Sequence, residues 1–103
     1  MTEPIDMTGQ VALVTGASRG LGRGFAQAIA EAGAAVALVA RSKSGLKQTA
    51  AAIEAAGGRA ITLACDVVDQ SSVDETVKET ESQLGPLDVL INNAGVAGPT
   101  GPD

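Results

Sequence analysis

The chain has no histidine, no tyrosine and no tryptophan, and it holds one cysteine and one phenylalanine. Each shortage removes a class of chemistry. Without histidine, imidazole acid–base catalysis has no residue to perform it. With Cys65 alone, disulfide scaffolds and cysteine-based zinc sites are excluded, and no histidine exists to make up an ordinary zinc ligand set. Phe25 as the sole aromatic excludes an aromatic cage or a base-stacking surface. Cations are scarce: seven Lys and Arg stand against twelve Asp and Glu, a formal net charge of −5. That balance argues against nucleic acid and anionic membranes as partners, though local donors can still hold one small anion. No apolar run approaches the ~20 residues of a membrane span. Met1 to Gln10 is polar, with Glu3 and Asp6, unlike a signal peptide. A cytoplasmic protein is the default expectation.

What remains is mostly small and branched. Hydrophobic residues make up 45% of the 103 positions, almost all Ala, Val, Leu and Ile. That length suits one domain rather than two. Such residues suit helices packed closely on a sheet.

Short apolar runs alternate with helical periodicities. Val11–Val14, Val36–Val39, Ile61–Cys65 and Leu87–Ile91 read as strands. Between the first two, Leu21, Phe25, Ile29 and Ala32 fall on one face of a helix from Arg19 to Ala32, stopped by Gly33. Leu46, Ala50 and Ile53 mark a second helix, closed by Gly57-Gly58. Ser72 and Glu75 have capping-box spacing and start a third, with Val73, Val77 and Leu84 inward and Gly85-Pro86 at its end. Strands alternating with helices predict an α/β fold with a parallel sheet. Continuously apolar runs predict cover on both faces of each strand. The expectation is a Rossmann-type doubly wound sheet of order 3-2-1-4, truncated after strand 4, with a flavodoxin-like order as the rival on pattern alone. The whole span, residues 1–103, reads as one dinucleotide-binding unit, with a polar lead-in over 1–9 and a Gly- and Pro-rich loop over 96–103.

The most informative stretch is Thr15-Gly16-Ala17-Ser18-Arg19-Gly20-Leu21-Gly22, between the first strand and the first helix. Gly16 lets the chain turn out of the strand, Gly20 lets backbone approach a pyrophosphate, and Gly22 lets the helix start pack on the sheet. The N–H groups of that helix start, with the helix dipole, then face the anion. The competing reading is a plain glycine-rich turn. A P-loop is excluded, because no Gly-Lys-Ser/Thr follows. The spacing, Gly-x-x-x-Gly-x-Gly, differs from the commoner Gly-x-Gly-x-x-Gly.

In that variant spacing Thr15 to Gly22 resembles the cofactor motif of the short-chain dehydrogenase/reductase family. Asn92-Asn93-Ala94-Gly95 after the fourth run resembles its second motif, and Asp66-Val67 after the third its adenine-contacting pair. The resemblance covers the chain from Gln10 onward. It implies that Gly16, Ser18, Arg19, Gly20, Leu21 and Gly22 surround the phosphates. Asp66 would accept from the adenine amino group, Val67 would add backbone contacts, and Asn93, Ala94 and Gly95 would border a ribose. Asn92 would tie neighbouring strands together. Taken without the family, Asp66 reads as a turn or cap residue before the third helix.

An NAD-binding unit usually carries an acid at the end of the second strand, which bonds the ribose 2′-OH and repels a 2′-phosphate. Here that position is Ala40, followed by Arg41, and Arg19 lies in the glycine loop. Two guanidinium groups suit a phosphate, so NADP is the preferred cofactor and NAD the alternative. The competing reading of both arginines is ordinary surface charge.

The family's catalytic serine and Tyr-x-x-x-Lys pair have no counterpart: the chain lacks tyrosine, and Lys43, Lys47 and Lys78 fall on the second and third helices. The resemblance therefore implies the N-terminal part of an oxidoreductase that interconverts an alcohol and a carbonyl compound. The small-molecule substrate would be met only in the full-length protein, a homo-oligomer. Two other readings stay open: a non-catalytic NAD(P)-binding module such as a redox sensor, and an α/β interaction domain that binds no nucleotide.

Overall fold

Strands and helices alternate along the chain in a computed structural model that describes residues 6–66 and 68–93. They are β1 (Val11–Thr15), α1 (Gly20–Glu31), β2 (Ala35–Ala40), α2 (Ser44–Ala55), β3 (Arg59–Ala64), α3 (Gln70–Leu84) and β4 (Val89–Asn92). All strand pairs are parallel and the order is β3-β2-β1-β4, the Rossmann order. The flavodoxin-like alternative is thereby excluded.

The sheet is covered unequally. On one face Val14, Val36, Leu38 and Ala40 pack with Ala26 and Ala30 of α1 and with Leu46 and Ile53 of α2. On the other, Leu13, Ala37, Val39 and Cys65 meet Val73, Val77 and Leu84, the α3 positions expected to turn inward. β1 is buried along its whole length, and β2 is buried after Ala35. β3 and β4 depart from the expectation of cover on both faces: β3 is half-buried with exposed ends, and β4 alternates half-buried and exposed residues. The reason is positional. These strands are the two edges of the described sheet, each flanked by one strand, whereas β1 and β2 have a strand on either side.

Two helical faces differ from their apolar spacing. In α1 the buried residues are Gly22, Ala26 and Ala30, whereas Leu21 is 70% exposed and Phe25 43% exposed. Small residues let the helix lie close to the sheet, and the large ones are turned aside. In α3 the buried side chains are Thr76 and Thr80, each donating its hydroxyl to the carbonyl four residues earlier at 2.8 Å. That bond lets a hydroxyl enter an apolar interface without an unmet donor.

Helix ends follow local chemistry. After α1, the amides of Gly33 and Ala34 donate to the carbonyls of Ala30 and Ile29; after α2, those of Gly57 and Gly58 donate to Glu54 and Ile53. Both are Schellman closures. The expected start of α3 is corrected. The helix begins at Gln70, capped by Asp69, whose carboxylate accepts from the Ser71 amide at 3.0 Å. Ser72 lies inside the first turn, and its hydroxyl accepts from the Asp66 amide and donates to Cys65 Sγ.

Candidate cofactor site

Parallel strands bring all their C-terminal ends to one edge of the sheet. Thr15 is level with Val39 and Asn92, and Ala40 is level with Ala64. The residues that follow, Gly16, Arg41, Cys65 and Asn93, therefore leave the sheet along one line. β1 is hydrogen-bonded to both β2 and β4, while the chain reaches β4 from β3 by crossing over both β2 and β1. The reversal of direction beside β1 opens a crevice at the strand ends, where ligands of such sheets bind.

The glycine loop fills the start of that crevice. Gly16 and Gly20 take φ of 64° and 61°, a left-handed conformation that other residues adopt at a cost of about 1–2 kcal/mol. A Cβ on Gly22 would overlap the Gly16 carbonyl and stand 2.9 Å from the Asn93 side-chain nitrogen. α1 thus begins against the loop itself and beside the end of β4. A Cβ on Gly20 would meet nothing within 4 Å among the described residues, leaving this backbone open to close approach by a ligand. Arg19 is the extended N-cap of α1 and makes no side-chain cap bond. The first N–H groups of the helix have no partner within the helix and carry the positive end of its dipole.

Ser18 adds a second observation. Its side chain is 6% exposed, and its Oγ has no hydrogen-bond partner among the described residues. Buried hydroxyls nearly always have one. The unmet group sits in the loop between β1 and α1, and a phosphate oxygen is an acceptor that would satisfy it. The loop therefore fits a dinucleotide's phosphates in conformation, open space and donor chemistry.

The other expected residues are distributed as follows. Ala40 ends β2 and is 1% exposed, so no carboxylate stands there; Arg41, immediately after, is exposed, as are Arg19 and Leu21. Asp66 is exposed beyond β3, and its carboxylate accepts from the Val68 amide at 3.1 Å. It therefore performs the turn role that its sequence neighbourhood suggests. That bond engages one carboxylate oxygen, while an adenine amino group needs a single acceptor. Asn92 ties strands together as expected, since Thr15 Oγ1 donates to its Oδ1 at 3.0 Å across β1 and β4. Asn93 is half-buried beside Gly22. Val67, Ala94 and Gly95 lie outside the described residues. Lys43, Lys47 and Lys78 are all exposed.

Sequence reasoning missed the support behind the loop. Arg23, Gln48 and Thr49 bond to one another or to the loop's carbonyls, and Gly45 of α2 packs on Ser18. Thr49, a polar residue near the apolar stripe of its helix, was the visible signal.

The family model described as short chain dehydrogenase matches residues 10–102. Among curated relatives, the chain is 50% identical over 90 residues to the ketoacyl reductase HetN of Nostoc sp., covering 87% of this chain and 31% of that protein. It is 44% identical to gluconate 5-dehydrogenase of Gluconobacter oxydans, covering 87% and 35%. The chain thus spans about a third of the length of the curated relatives it matches. Among solved structures, hydroxysteroid dehydrogenase from Escherichia coli superposes with a TM-score of 0.86 at 32% identity, covering 91% of this chain and 40% of that one. A metagenomic short-chain oxidoreductase in complex with NADP superposes with a TM-score of 0.77 at 40% identity, covering 81% and 38%. Taken with the sheet order and the glycine loop, a match over nearly every residue establishes that this chain belongs to the short-chain dehydrogenase family.

Proposed function

We propose that residues 1–103 form the dinucleotide-binding part of an NAD(P)(H)-dependent oxidoreductase that interconverts an alcohol and a carbonyl compound, and that the catalytic serine, tyrosine and lysine lie outside these residues. The observation that carries this reading is the buried Ser18 hydroxyl, unpartnered among the described residues, in a loop that precedes a helix start with no side-chain cap. Gly16, Ser18, Arg19, Gly20, Leu21 and Gly22 would hold the phosphates. Asp66 and Val67 would hold the adenine, and Asn93, Ala94 and Gly95 would border a ribose. When bound, the nicotinamide supplies or accepts a hydride. This chain's own contribution is to bind and orient: with no tyrosine in its sequence, it lacks the Tyr-x-x-x-Lys pair to which the family resemblance assigns the catalytic work.

NADP(H) is the preferred form in this reading. Ala40 offers no carboxylate to repel a 2′-phosphate, and Arg41 stands exposed directly after it. The solved relative bound to NADP is consistent with that choice. A charged hydrogen bond to phosphate contributes about 1.5–3 kcal/mol. Replacing both Arg19 and Arg41 by alanine should therefore weaken NADPH binding by about a hundredfold or more, with a far smaller change for NADH. Calorimetric titration of the parent and the double variant with both cofactors is the measurement, accompanied by a turnover assay in which the chain alone should be silent. Equal losses for the two cofactors would remove the case for NADP(H). Failure of the unaltered chain to bind either would remove the functional reading.

A further inference from the structure

Arg23 is the only cation of α1, and its guanidinium is bonded to protein rather than left to solvent. Its Nε donates to Thr49 Oγ1 at 2.9 Å, and its Nη2 donates to the Ser18 carbonyl at 2.5 Å and to Gln48 Oε1 at 3.4 Å. Thr49 is fully buried and donates its own proton to the Ala17 carbonyl at 2.9 Å. Two consecutive carbonyls of the glycine loop are thus held by side chains from α1 and α2. The backbone of α2 closes on the same spot, since a Cβ on Gly45 would lie 2.8 Å from Ser18 Cβ.

Peptide planarity gives this arrangement a consequence. In a trans peptide the carbonyl and the next residue's N–H point in opposite directions. Holding the Ala17 carbonyl fixes the Ser18 N–H, and holding the Ser18 carbonyl fixes the Arg19 N–H, each aimed away from the junction of α1 and α2. A loop that binds an anion must present N–H groups and turn its carbonyls aside, because a carbonyl oxygen facing a phosphate repels it.

We propose that Arg23 and Thr49 are a positioning pair that holds the loop's carbonyls away from the cofactor, and that Arg23 itself does not touch the phosphates. The inference rests on the cofactor reading above. The cations of this region then have separate roles. Arg19 and Arg41 choose between cofactors, whereas Arg23 prepares a loop that any dinucleotide uses.

The test uses this chain with Thr49→Val, Thr49→Ser and Arg23→Lys, NADPH and NADH as probes, and amide hydrogen exchange as a readout that needs no cofactor. Valine keeps the shape of threonine and loses the hydroxyl; serine keeps the hydroxyl; lysine offers one donor atom where the fork of arginine spans two acceptors. Thr49→Val and Arg23→Lys should each weaken both cofactors by about tenfold, the scale of ordering one backbone residue, with the NADPH-to-NADH ratio unchanged. Exchange at Ser18 and Arg19 should quicken in both, and Thr49→Ser should restore affinity and protection. A loss confined to NADPH in Arg23→Lys would mean direct contact with the 2′-phosphate and overturn the proposal. So would equal behaviour of Thr49→Val and Thr49→Ser, or unchanged exchange. If the unaltered chain binds neither probe, the cofactor reading fails, and unaltered exchange rates in the variants would separately show that the pair does not hold the loop.

Discussion

At the scale of single residues, the glycine loop shows two different reasons for lacking a side chain. At Gly22 the constraint is space, since an added Cβ would overlap the Gly16 carbonyl and press on Asn93. At Gly20 the constraint is conformation, since φ is 61° while no described residue lies within 4 Å of an added Cβ. Gly22→Ala should therefore cost about 1–3 kcal/mol by forcing backbone apart, and it should disorder the cofactor loop. Gly20→Ala should cost about 1–2 kcal/mol, through backbone strain alone. Gly20→Val adds branches in the space that a phosphate would enter, and its main loss should be cofactor affinity. Urea midpoints and calorimetric titration separate the three. A Gly22→Ala protein as stable as the parent would show that the helix start can slide away from the loop. The glycine spacing and the alternative turn role of Asp66 were legible in the sequence because they are local. The unmet hydroxyl of Ser18 was not, because burial is decided by what α2 places over it.

At the scale of elements, α3 shows how a helix start is chosen. Ser72 and Glu75 have capping-box spacing, yet Asp69 caps the helix and Ser72 bonds to Asp66 and Cys65 instead. Asp69 is an N-cap of the preferred type, and Val73, one turn further on, packs on the core. Asp69→Ala should destabilise the protein by about 1 kcal/mol, the usual cost of losing an N-cap side chain. Thermal melts monitored by circular dichroism give the comparison. An Asp69→Ala protein with an unchanged melt would mean that Ser72 can take over as the cap. α1 makes the complementary point. Its apolar stripe of Leu21, Phe25 and Ile29 was readable as helical spacing, but Gly22, Ala26 and Ala30 form the buried face. Periodicity reports that one side is apolar. The distance to the sheet decides whether large or small residues occupy it.

At the scale of the molecule, β4 is an edge. Among the described strands it pairs with β1 alone, and Leu90 is 58% exposed. The charge nearest its start does not guard that edge: the Asp88 carboxylate accepts from the Val11 amide at 2.8 Å, and the Asp88 amide donates back to the Val11 carbonyl. Both groups are turned toward β1. An apolar strand with one unpaired side is a template for another strand, and exposed Leu21, Phe25 and Leu90 add a drive of roughly 25 cal/mol per Å² covered. This chain by itself should therefore self-associate at concentrations of roughly tens of micromolar, and Leu90→Lys should weaken the association by placing like charges across the pairing. Sedimentation velocity over a concentration series reads both. A single monomeric species throughout, with a cooperative melt, would show that these residues close their own surface.

The amino-acid sequence by itself determined the alternation of strand and helix, the parallel sheet and the place of the glycine loop. Those follow from short apolar runs, from a helical period of 3.6 residues and from where glycine interrupts them, and all are local properties of the chain. Its match to the short-chain dehydrogenase family rests on the same local motifs. The sheet order, left open between two arrangements by pattern alone, was settled only in three dimensions. So were the exposed edges, because cover depends on which strands have a neighbour on both sides. The Arg23 and Thr49 contacts join residues 26 apart, and no spacing rule links a helix's fourth residue to the middle of the next helix. Tertiary packing alone decided that these two side chains would meet behind the loop, since only the approach of α2 to α1 brings a buried hydroxyl within reach of a guanidinium.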